Sequence, residues 1–329
     1  MIMKVALFND TGNFPHIGCL AVSNAHERML TVLGAEIVFL SYVGEFQGLW
    51  KGNRLETRTA LLNSTVASVI GSVDAVLVNG EGTIHHGAGL HLLAILDLAI
   101  ELGKGTFLIN AVLQDIPEYQ DVFPRLNDLV VREARSANYA RCLGATPRVV
   151  ADSILEAHFD PGVDELYKGR IVVTDCHQSR QDVRQQLNIV TEVFENDIVS
   201  LPLEAQERLA DWRTMLAKFR AARLVITGRH HGVYMALMAG TPFIALPSNT
   251  WKVESLLEML DASNLLWNEG HSLISMVTNA LRNPSVDTRV FKHDFLKLPL
   301  ATLSGLREFS DRYKSTVVQR RHDRPESLS

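Results

Sequence analysis

The stretch TGRHHGVYMALMAGTPFIALPSNTWK, residues 227–252, decides the fold of this chain. An apolar run stops at Gly228, a helical pattern follows as far as Gly240, and a second apolar run begins after Pro242. This succession predicts a strand, a tight turn, a helix and another strand, which is the repeating unit of a parallel α/β sheet.

The predicted turn carries a cation and two imidazoles, Arg229, His230 and His231. The free N–H groups and the dipole of a helix amino end favour an anion there. Arg229 adds a planar fork of donors, and His231 can move a proton near neutral pH. We interpret the turn as a site for an anionic substrate. The alternative is an ordinary helix start with a surface arginine and one buried histidine. Because the two histidines are neighbours, we expect them to diverge and only one to face the substrate.

The same alternation of strand and helix patterns fills most of the chain. It runs from Met3 to Val150, pauses in a polar stretch over 156–168, and resumes from Arg170 to Leu260. Among its elements we expect helices over 59–70, 134–142 and 204–220, and a short strand over 128–131 that ends at Arg132. We predict an α/β protein of two Rossmann-like domains with mainly parallel sheets facing a cleft, residues 1–160 and 161–318. Residues 319–329 are polar and predict a disordered tail.

Composition narrows the class of protein. The chain has 329 residues, 47% of them hydrophobic, and a formal net charge of −5, which predicts no nucleic-acid partner. Its three cysteines are far apart and lack paired zinc spacing, which favours a reducing compartment. The start MIMKVALFND is unlike a signal peptide, and no run is long enough to span a membrane. We therefore expect a cytoplasmic protein, with its oligomeric state open.

Two glycine-containing loops follow predicted strands. Glycines let a backbone approach a ligand closely, although a plain strand-to-helix loop explains the first one equally well. In the second loop, Glu81 can accept a hydrogen bond from a sugar hydroxyl or act as a base. His85 and His86 come next, but no recognisable ligand set accompanies them, so we predict no metal site. The loop residues expected near substrate are Asn9, Gly12 and Asn13, then Gly80 and Gly82.

Together these elements resemble the polysaccharide pyruvyl transferases over most of the chain. The resemblance lies in the order and spacing of short motifs. In chain order they are Asn9, Gly12, Asn13 and Gly18; Gly80 and Gly82; Arg132, Glu133 and Ser136; Asp152; and Arg229, His231, Gly232, Ala236, Gly240, Pro242 and Lys252.

The resemblance implies a GT-B-like fold and transfer of the enolpyruvyl unit of phosphoenolpyruvate onto two sugar hydroxyls, giving a pyruvate ketal. It implies a sugar as acceptor and no cofactor. A lipid-linked oligosaccharide is a further acceptor that the basic tail could approach, and because no segment spans a membrane we expect at most peripheral membrane contact. Two departures are His230, where the family usually has an apolar residue, and Glu81, where glycine is common. The roles that follow are catalytic for His231, Arg229 and Glu81, and donor-binding for Arg132, Arg229, His230, Gly232 and Lys252.

Two other functions stay open at this point. One is a GT-B glycosyltransferase that uses a sugar nucleotide, although Met235 stands where such enzymes often carry a ribose-binding glutamate. The other is a non-catalytic carbohydrate-binding relative. The segment 41–58, with Phe46, Trp50 and Lys51, is either a sugar-stacking loop or a packed surface loop.

Overall fold

The protein is built on two parallel sheets, seen in a computed structural model that describes residues 2–205, 209–283 and 299–322. The first sheet has the strand order β2-β1-β3-β4-β5-β6. Its strands and helices are β1 Met3–Asp10, α1 Ile17–Leu33, β2 Ala35–Tyr42, α2 Arg54–Leu62, α3 Thr65–Ser72, β3 Ala75–Asn79, α4 Leu90–Glu101, β4 Gly105–Ala111, β5 Asp128–Val131, α5 Ala134–Cys142 and β6 Arg148–Val149.

The second sheet has the order β10-β9-β7-β8, and all its pairs are parallel. Its elements are β7 Ile171–Cys176, α6 Gln181–Val193, β8 Ile198–Ser200, α7 Met215–Ala221, β9 Leu224–Gly228, α8 His230–Ala239, β10 Phe243–Ala245, α9 Lys252–Met259 and α10 Leu273–Arg282. Strands β3, β4 and β9 are buried along their whole length, as expected when helices cover both faces. The predicted fold class is confirmed.

An apolar core joins the two halves. Ile17 and Ile154 of the first half belong to the same buried cluster as Trp212 and Tyr234 of the second. Because the halves share this core, the carboxyl ends of their strands are held facing each other across a cleft.

Two predicted helices differ from the structure. The helix expected over 59–70 is two helices, α2 and α3, because the Ser64 side chain accepts from the N–H of Val66 and starts a new helix. The helix expected over 204–220 is shorter: the described part has a 3₁₀ turn over Trp212–Thr214, capped by Asp211, before α7. An N-cap inside a periodic stretch restarts the helix even where the apolar pattern continues.

The last helix, α11 Ser304–His322, packs on the first sheet. The rings of Phe309 and Phe107 have centroids 5.6 Å apart, and the Tyr313 hydroxyl donates to Asp74 at 2.8 Å. The predicted second domain, residues 161–318, includes most of this helix. In the structure, however, the helix lies against the sheet of the first domain. The helix also includes residues 319–322 of the predicted disordered tail, and 323–329 lie outside the described residues. The domain boundary at 160/161 stays a prediction.

Candidate active site

A cavity of about 400 Å³ opens between the sheets where their strands end. Side chains from both halves line it, so it forms only when the halves meet. Ligands of open α/β sheets bind in this position. The lining includes Thr11, Phe14, His16, Cys19, Val43, Glu81, Gly82, Thr83, His85, Arg132, His177, Glu204, Arg229, His230, His231, Asn249 and Lys252.

Arg132 and Asp152 form a buried ion pair at the base of the cavity. Arg132 directly follows β5, and its side chain, 2% exposed, donates to the Asp152 carboxylate, which is fully buried. The other oxygen of Asp152 accepts from the N–H of Ile154 at 2.9 Å and so caps a 3₁₀ turn. Burial alone would raise the pKa of Asp152, but the Arg132 guanidinium and the His231 ring hold that pKa well below its usual range. Asp152 is therefore an anion at neutral pH.

Both histidines of α8 reach this carboxylate. Nε2 of His230 and Nε2 of His231 lie 3.5 and 3.4 Å from the same oxygen of Asp152. The expectation that the two rings diverge is wrong, because both residues already belong to the helix. Consecutive helical side chains are only about 100° apart, whereas those of a strand point to opposite faces.

The two histidines nevertheless have different surroundings. His230 packs on the Tyr234 ring at 5.1 Å, and neither of its ring nitrogens has a hydrogen-bond partner among the described residues. Burial and the Arg132 charge lower the pKa of His230 to about 3, so it is neutral at physiological pH. Nε2 of His231 lies 3.7 Å from a Glu81 oxygen and 3.5 Å from Nη1 of Arg132. His231, from the second half, thus lies beside acidic and basic side chains of the first half.

Glu81 is held in a strained loop after β3. Its φ of 31° falls in the left-handed region, and its side chain is 4% exposed. Its two oxygens accept from the Cys19 thiol at 3.0 Å and from Nδ2 of Asn79 at 3.2 Å. Asn9 fixes this loop by donating to the carbonyl of Asn79 at 2.6 Å and to Thr83 at 3.1 Å. Asn9 therefore positions Glu81 and does not line the cavity.

Most of the predicted glycines serve the fold. Gly82 lines the cavity, but a Cβ at Gly80 would come within 2.5 Å of Ala111, and one at Gly232 within 2.1 Å of the Thr227 hydroxyl. These two positions allow close packing of backbone against side chain. The predicted residues outside the cavity lining are Asn9, Gly12, Asn13, Gly80 and Gly232.

Arg229 lines the cavity, but its donors are already engaged. Nε donates to Asp175 at 2.7 Å, Nη1 pairs with Glu204 at 2.7 Å, and Nη2 donates to the carbonyl of Cys176 at 3.3 Å. To bind an anionic donor as predicted, Arg229 would have to release one of its two carboxylate partners. Nothing in the sequence around Arg229 indicates these partners, since Asp175 belongs to a different strand, β7.

Lys252 is a cation of the cavity lining that differs from Arg229 in its partners. Its ammonium donates to Asn249 at 3.0 Å, and no carboxylate of the described residues lies within ion-pair distance of it. Burial and the charges of Arg132 and Arg229 lower the pKa of Lys252 to about 8. Lys252 is thus mainly protonated at neutral pH and loses its charge in mildly alkaline solution.

His16 and Cys19, at the start of α1, are among the lining residues that the sequence analysis did not predict. His16 is the N-cap of α1, and its Nδ1 accepts from the N–H groups of Gly18 and Cys19 at 3.0 and 3.4 Å. Burial and the neighbouring His231 hold the pKa of His16 well below its usual value, so its ring is neutral. A histidine ahead of a helical pattern is a weak signal, because serine, threonine, aspartate and asparagine are the usual caps.

The aromatic segment 41–58 packs against the protein. Phe46 contacts the rings of Phe8 and Phe39, and Trp50 contacts Tyr119. Of the two interpretations, the packed surface loop fits these contacts. His85 is half-buried in the cavity lining, where burial and Lys252 lower its pKa to about 4.

The fold and the cleft define a two-domain protein of the GT-B type. Over its full length the chain is similar to a putative UDP-N-acetylglucosamine 2-epimerase from Listeria monocytogenes (15% identity, 100% of each chain covered, TM-score 0.58). It is also similar to UDP-GlcNAc 2-epimerase from Neisseria meningitidis (13%, 92% and 99% covered, 0.55) and to the glycotransferase of kitacinnamycin (11%, 95% and 99% covered, 0.56). At these identities the likeness shows the fold alone.

The chain belongs to the polysaccharide pyruvyl transferase family, whose model matches residues 25–250. That range contains Glu81, Arg132, Asp152 and both histidines of α8. No curated protein matches the sequence. Within the part of the chain that the structure describes, no helix is both long and apolar enough to cross a lipid bilayer.

Proposed function

We propose that this transferase moves the enolpyruvyl unit of phosphoenolpyruvate onto two hydroxyls of a sugar and so forms a pyruvate ketal. The observation that carries the proposal is His231, which lines one cavity with the carboxylate of Glu81 and the cations Arg132 and Lys252, and whose Nε2 lies 3.4 Å from the buried carboxylate of Asp152. Cations to hold an anionic donor and groups to move protons are what this reaction needs.

The donor's phosphate and carboxylate would lie on the cationic side. Lys252 offers an ammonium that has no carboxylate partner among the described residues, and Nε of Arg132 is a buried donor without a partner among them. The amino end of α8, ten residues long, adds its partial positive charge. In this assignment the donor contacts Arg132 and Lys252. Arg229, which is already paired with two carboxylates, supports the site without being the main contact of the donor.

The proton chemistry follows from this placement. His231 gives a proton to the methylene carbon of the donor, while Glu81 accepts the proton of the first sugar hydroxyl as its oxygen bonds to C2. The product of this addition is a tetrahedral phosphate ester. Phosphate then leaves with the proton held by Glu81, and the second hydroxyl attacks C2 and gives its proton to His231, which closes the ketal ring. Asp152 keeps the His231 ring oriented and stabilises its protonated form.

The alternative of a sugar-nucleotide glycosyltransferase has less support from the site. Met235, at the position of the ribose-binding glutamate, is fully buried in the core and cannot contact a ligand. The acceptor is a sugar or a lipid-linked oligosaccharide, and its binding surface would be the first-half side of the cavity, where Phe14, Val43 and Thr83 lie.

The test is turnover of phosphoenolpyruvate with a panel of sugars and lipid-linked oligosaccharides. We expect phosphate release that depends on acceptor, and a product heavier than the acceptor by one pyruvate less one water. His231→Gln should lower the rate of both by about 100-fold or more, whereas His158→Gln, a substitution of an exposed histidine, should not. Transfer from a UDP-sugar without phosphoenolpyruvate use would support the glycosyltransferase alternative. Acceptor binding without either reaction would indicate a non-catalytic relative.

A further inference from the structure

We propose that His16 binds the carboxylate of phosphoenolpyruvate through the N–H of its Nε2, as a neutral hydrogen-bond donor beside the general acid His231. This role rests on the proposed function and adds to it a residue that contacts the substrate. His16 lines the cavity and is only 6% exposed. Its ring lies edge-on to the His231 ring, with the two ring centroids 5.4 Å apart.

The start of α1 determines which nitrogen of His16 carries the proton. Nδ1 accepts the N–H groups of Gly18 and Cys19 at 3.0 and 3.4 Å, so it is unprotonated. A neutral imidazole has one N–H group, which is therefore on Nε2. Among the described residues the ring makes hydrogen bonds only through Nδ1, which leaves the N–H of Nε2 to meet a ligand.

The backbone on both sides of His16 is tied to the second half of the protein. The N–H of Ile17 donates to the carbonyl of Leu203 at 2.7 Å, and the N–H of Ala205 donates to the carbonyl of Pro15 at 3.2 Å. His16 belongs to the first half but is thus held at the junction of the two. A donor that the fold has already positioned loses little freedom when a ligand binds.

The surroundings of His16 favour an anion and keep the ring uncharged. Burial is the main cause that lowers its pKa, and the charges of His231, Arg229 and Lys252 lower it further. The amino end of α1, 17 residues long, adds a partial positive charge. A positive charge on His16 would oppose the protonation that His231 needs as a general acid, whereas a neutral N–H donor does not.

The carboxylate is the part of the substrate that fits this position. The phosphate has the higher charge and is the better partner for the cations Arg132 and Lys252. In the proposed reaction His231 gives its proton to the methylene carbon, and the methylene group and the carboxylate are bonded to the same carbon, C2. The carboxylate therefore lies close to His231 and within reach of the neighbouring His16. An alkenyl phosphate without a carboxylate would lack this contact, so His16 contributes to the choice of substrate.

Asparagine and glutamine separate the functions of the two ring nitrogens. In His16→Asn the amide oxygen can take the place of Nδ1 and cap α1, but nothing replaces the N–H of Nε2. In His16→Gln the amide nitrogen can reach the place of Nε2 and donate, but the cap is lost. The two variants are therefore matched controls for each other.

We expect the two variants to lose different properties. His16→Asn should lower the affinity for phosphoenolpyruvate by roughly 10- to 100-fold, the effect of one hydrogen bond to a charged group, and His16→Gln by much less. Chemical denaturation should give the opposite order, with His16→Gln the less stable variant. An unchanged affinity in His16→Asn, or equal losses of affinity in the two variants, would overturn the proposal.

The group that His16 binds is identified with smaller anions. Pyruvate keeps the carboxylate and inorganic phosphate replaces the phosphate group, and the affinity of each is measured by competition with phosphoenolpyruvate. His16→Asn should weaken pyruvate by about the same factor as phosphoenolpyruvate and leave inorganic phosphate unchanged. Weaker binding of inorganic phosphate with unchanged binding of pyruvate would overturn the assignment to the carboxylate.

The protonation state of His16 can be measured without substrate. In heteronuclear NMR spectra of the histidine rings at neutral pH, the signals lost in His16→Asn should belong to a neutral ring with its proton on Nε2. A proton on Nδ1 would overturn the proposal, whether or not the protein transfers pyruvyl groups.

The proposed function and the role of His16 can fail separately. If His16→Asn bound and used phosphoenolpyruvate like the wild type, pyruvyl transfer would stand and the role of His16 would be rejected. If the wild type bound phosphoenolpyruvate and pyruvate through His16 but transferred nothing to any acceptor, the carboxylate site would stand and pyruvyl transfer would be rejected.

Discussion

Substitution of Asp152 by asparagine tests the buried ion pair at the base of the cleft. Asp152 is fully buried and the Arg132 side chain is 2% exposed, so the variant leaves a buried guanidinium without a counter-charge. Removing one partner of a buried pair costs about 3–5 kcal/mol of unfolding free energy. The pKa of Asp152 is depressed in the folded protein, so its contribution is fully present above the unfolded pKa of about 4 and is lost as pH falls through the lower, folded value.

The assay is chemical denaturation of wild type and Asp152→Asn at neutral pH. The matched control is Glu258→Gln, which breaks the ion pair between Arg135 and Glu258, whose side chains are 41% and 48% exposed. An exposed pair is worth less than about 1 kcal/mol. If Asp152→Asn destabilised the protein no more than the control, the inference of a costly uncompensated charge would be refuted.

Three further predictions concern the cavity. His231→Ala should lower turnover of phosphoenolpyruvate by about 100-fold or more, the scale for a lost general acid, and His230→Ala should lower it by far less. A folded but inactive His230 variant beside an active His231 variant would instead make His230 the general acid. The affinity for phosphoenolpyruvate should fall as pH rises through about 8, where Lys252 loses its charge, but should stay level in Lys252→Arg. If the affinities of wild type and Lys252→Arg had parallel pH profiles, Lys252 would be ruled out as the titrating group. Gly18→Ala should displace the His231 ring and lower turnover by up to about 100-fold, the loss expected for His231→Ala. Gly71→Ala, where a Cβ meets nothing within 4 Å, should keep wild-type kinetics, and equal kinetics of the two variants would contradict the close approach at Gly18.

The strands and helices were predicted well where residues in the sequence mark their first and last positions. The strand Asp128–Val131 and the helix Ala134–Cys142 have the predicted ends, because apolar runs and capping residues mark them. The position of Arg132 and of the histidines at strand and helix ends followed from the same reasoning, since carboxyl ends of parallel strands meet at one edge.

Contacts between distant segments were beyond such reasoning. The carboxylates on Arg229 come from Asp175 and Glu204, and nothing local to Arg229 indicates them. The place of Cys19 in the cleft depends on how α1 approaches α8, which is set by packing between the two halves. The periodicity of a helix states which face is apolar, but not which sheet will cover it.

The return of α11 to the first sheet changes how the chain can be divided. The backbone passes from one half to the other near residues 156–170 and again between residues 283 and 299. A fragment that stops at residue 160 would lack α11. In the whole chain, Phe309 of this helix covers Phe107 and Gly105 of β4, so the fragment would expose that apolar surface to water. The first half is thus completed by a helix that follows the whole second half in the chain, so its wall of the cleft can be finished only after the second half has been synthesised.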